Sequence, residues 1–156
     1  NIKVMIIRIC IFFLLFSESV FCQISEANAP VRINEQTRYN SESRVFYKWN
    51  EATQVYDAKD SEFENSIIDV REIDSRKNGY VVISLVDDGK VRSYHGSIIS
   101  FNQDEEGNPT WILRSKNARG KVVLNPKKMT VTYSYESNGD RYLKIFVFYL
   151  TLKDVE

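Results

Sequence analysis

The segment that most constrains the fold is residues 128–152, where a turn signal stands between two runs of alternating β-branched and aromatic residues. Asn138-Gly139 is typical of a type I′ turn, because both central residues of that turn need a positive φ. The sequence therefore predicts an antiparallel hairpin that closes on Asn138-Gly139. In this register Glu136 lies opposite Arg141, so that opposite charges meet across the strands.

One face of the predicted hairpin is rich in aromatic side chains. It carries Met129, Val131, Tyr133, Tyr135, Tyr142, Lys144, Phe146 and Phe148. The opposite face of the second strand carries Leu143, Ile145, Val147 and Tyr149. Because this second face is too apolar to be fully wet, we expect the N-terminal segment, a helix or another subunit to cover it.

The N-terminal residues have the pattern of a secretory signal peptide. Basic residues precede eight apolar residues, 9–16, and a polar stretch follows before Cys22. The apolar run is far shorter than the ~20 residues of a membrane-spanning helix. We therefore expect residues 1–22 to be removed, leaving no stable membrane span, and the chain to be exported to the periplasm or outside the cell. A lipid anchor on Cys22 is less favoured, because the preceding Phe21 is large.

The composition of residues 23–156 indicates one domain that is held together by its core. Both cysteines lie in the predicted signal, so no disulfide is expected. Of the 21 basic and 21 acidic side chains, Lys3, Arg8 and Glu18 also fall there, which leaves 19 basic and 20 acidic. This balance excludes a nucleic-acid partner, which would require net or clustered positive charge.

The ending Phe21-Cys22-Gln23 of the predicted signal peptide is similar to that of exported proteins of Gram-negative bacteria.

The first half of the domain is the less regular half. We expect residues 23–43 to form a polar linker, in which residues 31–33 are a candidate short edge strand, and residues 44–156 to form the β domain. The first strand is predicted over residues 44–49, with Val45, Tyr47 and Trp49 on one face. Residues 50–65 are acidic and predicted to be irregular. Residues 61–73 fit either a capped helix or a strand; we favour a strand over residues 67–73 because β-branched residues are frequent there.

The second half alternates strands and turns regularly. Further strands are predicted at 80–86, 91–101, 110–114 and 121–124, ahead of the closing hairpin. Asp88-Gly89 predicts a hairpin loop of two or three residues, and Gly96 predicts a bend or bulge. The total is an all-β antiparallel meander of about eight strands. Such a meander forms a small barrel or a two-layer β-sandwich, and a barrel is favoured because closure removes exposed edges.

The sequence gives little support to catalysis, metal binding or a cofactor. His95 is the single histidine, and with no cysteine left it cannot build a multi-histidine or thiolate metal site. No Gly-x-Ser-x-Gly nucleophile motif and no phosphate-binding glycine loop is present. Residues 102–107 match the first half of a calcium loop, but Leu113 stands where its glutamate belongs. We therefore assign no catalytic residue, no metal and no cofactor.

The best candidate for a binding residue is Lys144. The predicted register places it on the aromatic face, opposite Tyr133 and between Tyr142 and Phe146. In a barrel interior such a lysine could meet an anionic group of a ligand or a tyrosine ring. The alternative, which we favour, is that the lysine extends into solvent over the tyrosines.

In strand count and predicted export, the chain resembles the lipocalin-like meander barrels. At the Gly-x-Trp motif of lipocalins the chain instead has Tyr47-Lys48-Trp49. We expect an exported, non-catalytic β domain that acts as a binding or interaction module in the cell envelope. What the resemblance implies, a carrier of a small apolar or anionic ligand, is the alternative, and a hydrolase with unassigned carboxylates is a distant third. The partner is then a small ligand, another protein or a second subunit.

Overall fold

The computed structural model describes residues 33–116 and 118–151, and these residues form strands and turns without a helix. The strands are β1 (Ile33–Asn50), β2 (Val55–Glu62), β3 (Ser66–Asp87), β4 (Lys90–Gln103), β5 (Pro109–Arg114), β6 (Arg119–Asn125), β7 (Thr130–Asn138) and β8 (Arg141–Leu150). The predicted signal peptide lies outside the described residues.

The strands form a closed antiparallel barrel. The order is β2-β1-β3-β4-β5-β6-β7-β8, and β1 also pairs with β8, which closes the sheet. Strand β3 turns back on itself, since the amide of Val86 donates to the carbonyl of Asn65 (3.4 Å). Its two arms, 66–74 and 80–87, pair with β1 and β4 respectively. The barrel therefore has eight walls, with β2 as an extra strand, which confirms the predicted meander barrel.

The predicted turn positions inside this meander are largely correct. Asp88-Gly89 forms the two-residue loop between Asp87 and Lys90, and both central residues have positive φ (50° and 70°). Residues 67–73 are a strand, as predicted, and the helical alternative is wrong. The turn between the arms of β3 contains Asp74 and Gly79 with positive φ, at the place where the sequence predicts a turn.

Two polar segments that were predicted as linker and irregular chain belong to the sheet. Strand β1 begins at Ile33, and residues 33–41 pair with the first arm of β3, so the linker does not extend to residue 43. Within the predicted irregular segment 50–65, β2 pairs with the second half of β1. Both stretches expose most of their side chains, so backbone pairing holds strands whose composition is that of a loop.

The register predicted for the last hairpin is wrong by two residues. Asn138 pairs with Arg141 and Tyr135 with Lys144, so the loop is Gly139-Asp140. Glu136 adopts a positive φ of 54° and forms an ion pair with Lys144 (2.6 Å) instead of facing Arg141. A shift of two residues keeps each residue from 130 to 135 on its predicted face, because side chains alternate with a period of two.

The predicted bend at Gly96 is also wrong. Gly96 pairs regularly with Val81, and the irregularity of β4 lies between Ile98 and Ser100. Glycine is needed at position 96 for another reason, since a Cβ there would lie 2.9 Å from Cβ of Leu113. The close approach of β4 and β5 therefore explains this glycine.

Apolar side chains from the barrel walls fill the interior. The buried core consists of Ile68, Val70, Val81, Ile83, Leu85, Ile98, Trp111, Leu113, Val122, Val131, Tyr133, Tyr135, Phe146 and Phe148. Trp111 and Glu72 lie at the end of the barrel that holds the 104–108 loop and the turn of β3. The opposite end, with the β3–β4 and β7–β8 hairpin loops, contains the recess described next.

Candidate binding site

A recess of about 490 Å³ lies between the free side of β2, the β3–β4 hairpin and the β7–β8 hairpin. Its lining combines charged and aromatic side chains: Arg44, Phe46, Lys48, Asp60, Glu62, Leu85, Asp87, Arg92, Tyr94, Tyr135, Glu136, Lys144 and Phe146. The recess exists because β2 pairs with β1 alone, which leaves the barrel wall split at this end.

Arg44 lies at the base of this recess and is only 1% exposed. Its Nη1 donates to the Ser66 hydroxyl (3.2 Å), and its Nη2 donates to the Glu62 carboxylate and the Val86 carbonyl. The guanidinium thus joins the end of β2 to both arms of β3. Its N–H groups bind acceptors at the point where β2 and the second arm of β3 separate, which explains how these strands stay together.

The electrostatic environment of Arg44 is strongly acidic. Burial lowers the pKa of its guanidinium, and the nearby charges of Glu64 and Asp87 oppose that effect. Oε2 of Glu64 lies 3.7 Å from Nη2 of Arg44. Nε of Arg44 has no hydrogen-bond partner among the described residues. Oε2 of Glu64 also has no hydrogen-bond partner there, so the buried cluster retains one unused donor and one unused acceptor.

Two lysines of the recess are on directly paired residues. Lys48 of β1 pairs with Lys144 of β8, so the two side chains start from neighbouring positions on the same face of the sheet. On the other side of β1, Asp60 and Glu62 lie on β2, and Asp87 lies at the end of β3. Like charges on directly paired residues repel one another, which costs stability.

Some of these charges are already compensated. Lys144 contacts Glu136 at 2.6 Å, and Arg92 contacts Asp87 at 2.6 Å. Lys48 has no ion pair within the described part of the chain. In that part of the chain Lys48 thus lies unpaired between Lys144 of β8 and Asp57 of β2, whereas the whole lining is balanced at four basic and four acidic side chains.

The aromatic side chains form a continuous surface below the two lysines. The rings of Phe46 and Phe146 lie 4.9 Å apart, and Tyr135 stacks on Phe146 at 5.8 Å. Tyr94 contacts both Tyr135 and Phe146 at 5.1 and 5.9 Å. The recess therefore has an apolar floor and a charged rim, a combination found in small-molecule sites.

Burial perturbs the two tyrosines of this aromatic cluster. It raises the pKa of Tyr133 to about 12. It also raises the pKa of Tyr135, to which a side-chain hydrogen bond with Tyr94 contributes. Both phenols are therefore neutral hydrogen-bonding groups at any physiological pH.

The structure brings together two of the four predicted site residues. Lys144 and Phe146 both line the recess. Tyr133 is buried deeper, where it pairs with Phe146 and stacks on Tyr135 (5.0 Å). Tyr142 is elsewhere: Nζ of Lys121 lies 5.6 Å from its ring, and its carbonyl accepts a hydrogen bond from Tyr56 (2.7 Å).

The sequence analysis missed Arg44, Phe46 and Lys48. It selected the alternate residues Val45 and Tyr47 as the apolar face of the first strand. The inward residues of β1 are instead Arg44, Phe46 and Lys48, which line the recess. The sequence does show that charged and apolar residues alternate in β1, and either alternate set can face the interior. Choosing between them requires knowledge of what β1 pairs with.

The remaining candidate groups do not form a site. His95 is exposed and contacts the ring of Tyr80 (5.8 Å) outside the recess. Asp104 accepts hydrogen bonds from the amides of Glu106 and Asn108, so the loop that resembled half a calcium site is closed by its own backbone. In residues 33–116 and 118–151, no cluster of three or more His, Cys, Asp or Glu side chains is placed to hold a metal ion.

Comparison with protein-family models, with curated proteins and with solved structures gave no match to this chain. Within the described residues, no helix has the length and apolar character needed to cross a membrane. The functional argument therefore starts from the geometry of the recess.

Proposed function

We propose that this chain is a non-catalytic binding module and that its binding site is the recess at the hairpin end of the barrel. The ligand is a small molecule with an anionic group on an apolar or aromatic body. The binding-module hypothesis and the carrier alternative are thereby combined, and both are assigned to the recess.

The observation that carries the proposal is the direct pairing of Lys48 with Lys144 above the Phe46–Phe146 contact. An anionic group between the two ammonium groups would remove their repulsion, because Glu136 compensates only one of them. The body of the ligand would then cover the phenyl rings, where apolar contact contributes about 25 cal/mol per Å². The lysines thus select the anionic group of the ligand, and the phenyl rings select its apolar body.

Two features support binding rather than catalysis. Three of the four acidic groups of the recess, Glu62, Asp87 and Glu136, are ion-paired with basic side chains. Their oxygens are thus engaged by basic side chains and do not face the open space of the recess as a free pair. The single histidine is outside the recess.

We also propose that the module acts after export, in the periplasm or outside the cell. The support is the basic, short apolar and polar order of residues 1–22. The absence of cysteine from residues 23–156 is compatible with this location, because the filled core makes disulfides unnecessary.

Two fluorescent probes separate the anionic from the apolar contribution. 8-Anilinonaphthalene-1-sulfonate carries a sulfonate, and N-phenyl-1-naphthylamine has similar rings without charge. We expect the full chain to bind the sulfonate more tightly. Changing both Lys48→Ala and Lys144→Ala should weaken sulfonate binding about tenfold, which corresponds to ~1.4 kcal/mol, and leave the neutral probe nearly unchanged.

The matched control is the Lys77→Ala, Lys127→Ala double variant, which removes two exposed lysines outside the recess. It should bind both probes like the parent chain. If the control lost as much sulfonate binding, the change in net charge alone would explain the weaker binding of the Lys48, Lys144 double variant. Undiminished sulfonate binding by the Lys48, Lys144 double variant would end the proposal. Native mass spectrometry of the purified chain would identify any ligand that it retains.

A further inference from the structure

Strand β2 presents a free edge in a barrel that is otherwise closed. It pairs with β1 on one side, and within the described ranges no strand pairs with its other side. Six of its eight residues are exposed, and the remaining two, Asp57 and Glu62, are partly exposed. An unpaired strand edge offers a row of backbone donors and acceptors to another extended chain.

The charge of this edge is negative. Strand β2 contains Asp57, Asp60 and Glu62 against Lys59, a formal charge of −2. Hydrogen bonds from Asn50 and Lys59 lower the pKa of Asp57, so its carboxylate stays ionised. The carboxylate of Asp60 makes no hydrogen bond or ion pair within the described residues. The edge therefore attracts positive charge.

Exposed apolar side chains stand at both ends of this edge. Val55 and Tyr56 are 52% and 37% exposed at its start, and Phe63 is 88% exposed just after its end. These are three of the seven large hydrophobic residues that are exposed in the described parts of the chain. An extended segment that pairs along the whole of β2 would therefore meet an exposed apolar side chain near each of its ends.

We infer that the free edge of β2 binds an extended, basic segment of a partner protein by adding it to the sheet as a further strand. Backbone hydrogen bonds give the affinity, as in other cases of strand addition. Lysine or arginine side chains of the partner face Asp57 and Asp60, and its apolar residues cover Val55 and Phe63. A strand added here lies along the recess, because the free side of β2 forms one of its walls and Asp60 and Glu62 line it, so a peptide on the edge and a ligand in the recess compete.

The charge of β2 also disfavours a second copy of this chain as the occupant. Pairing two β2 edges would bring together two strands of charge −2 each, and like charges across a ladder are destabilising. Acidic side chains on an edge therefore keep copies apart while they select a basic partner.

An eight-residue peptide of alternating lysine and valine is a suitable probe. Titration of the isotope-labelled full chain with this peptide should shift the amide resonances of Val55–Glu62 and their partners on β1. The same peptide with every second backbone amide methylated, in either of the two phases, keeps its side chains. One of the two phases should lose at least tenfold in affinity, because its methyl groups occupy the hydrogen-bonding side of the peptide.

Variants separate the edge from the recess. Asp60→Lys should weaken peptide binding at least fivefold, whereas Asp140→Lys, an exposed acidic residue on the β7–β8 hairpin, should leave it unchanged. Lys144→Ala, on β8 and therefore on the other side of β1 from β2, should not weaken peptide binding. Shifts spread over the surface, or equal affinity of both methylated peptides, would overturn the inference. Formation of a dimer through β2, detected by sedimentation, would also overturn the inference and identify a second copy of the chain as the occupant of the edge.

Discussion

Trp111 donates a 2.9 Å hydrogen bond from its indole Nε1 to Oε1 of Glu72, and both side chains are buried. The same oxygen accepts a hydrogen bond from Nε of Arg76 at 3.0 Å. The guanidinium of Arg76 lies 4.1 Å from the ring centroid of Phe101. The barrel end remote from the recess is therefore closed by a buried carboxylate with two donors and an aromatic cover.

Replacing Glu72 tests whether this closure stabilises the fold. Glu72→Gln removes the charge that pairs with Arg76, and we expect the free energy of unfolding in urea to fall by about 1–3 kcal/mol. Trp111→Phe removes one donor, and a double-mutant cycle between the two changes should show coupling above about 0.5 kcal/mol. Glu42→Gln, an exposed glutamate of β1 that does not pair with the first arm of β3, is the control. A Glu72 effect no larger than that control would contradict this assignment.

Arg44 should be the most sensitive charged residue of the barrel. Arg44→Met removes the donors to Ser66, Glu62 and Val86 from a site that is almost fully buried. We expect the free energy of unfolding to fall by about 3 kcal/mol, because the acceptors at the split in the wall lose their partner. Equilibrium unfolding, followed by tryptophan fluorescence, measures this change.

The exposed ion pair of Arg38 with Asp69 supplies the contrast for Arg44. Its two hydrogen bonds have good geometry (2.7 and 2.9 Å), but the arginine side chain is 56% exposed. Arg38→Met should therefore destabilise the fold much less than Arg44→Met does. If both methionine variants lost the same stability, the buried position of Arg44 would have no special role in holding the wall together.

The meander could be predicted from the sequence because its signals are local. Alternation and turn residues identify the arms of β3 and the Asp88-Gly89 loop within a few positions. Strand β2 was missed because nothing in its acidic sequence signals a strand. Its pairing partner, β1, stabilises it instead. The same dependence on distant residues explains why β1 begins eleven residues earlier than predicted.

The recess could be predicted only in part. The aromatic face of the hairpin identified Lys144 and Phe146, since a register error of two residues preserves the face of each side chain. Arg44 could not be found in this way. Its partners come from β2 and from both arms of β3, and no local pattern shows that these elements meet.

Gly96 should not tolerate a side chain. A Cβ at this position would lie 2.9 Å from Cβ of Leu113, which is part of the core. We expect Gly96→Ala to lower the free energy of unfolding by about 1–3 kcal/mol through overpacking. Leu113→Ala removes the Cδ1 and Cγ atoms that would lie 3.3 and 3.6 Å from the new methyl group, so adding it to that variant should cost less than Leu113→Ala does alone in the parent chain. Additive losses in thermal unfolding would show that the two side chains do not compete.

The buried tyrosines should make the barrel sensitive to alkaline pH. Burial raises the pKa of Tyr133 to about 12 and also raises that of Tyr135, whereas an unfolded chain ionises its tyrosines near pH 10. Below about pH 10 both states keep these protons, so the stabilisation is fully present. As the pH rises from about 10 to 12, the unfolded state loses the protons first, and stability falls by up to ~1.4 kcal/mol per pH unit and tyrosine.

Urea unfolding between about pH 8 and pH 11 measures this slope. Tyr133→Phe combined with Tyr135→Phe should make the alkaline loss shallower, because neither ring can then ionise in the unfolded state. Tyr149→Phe, which changes a tyrosine that is 44% exposed, is the matched control and should leave the slope unchanged. The tyrosinate absorbance of the folded parent chain should also reach its full value only above about pH 12. Complete ionisation near pH 10 in the folded state would show that water reaches both phenols and that the aromatic floor of the recess is open.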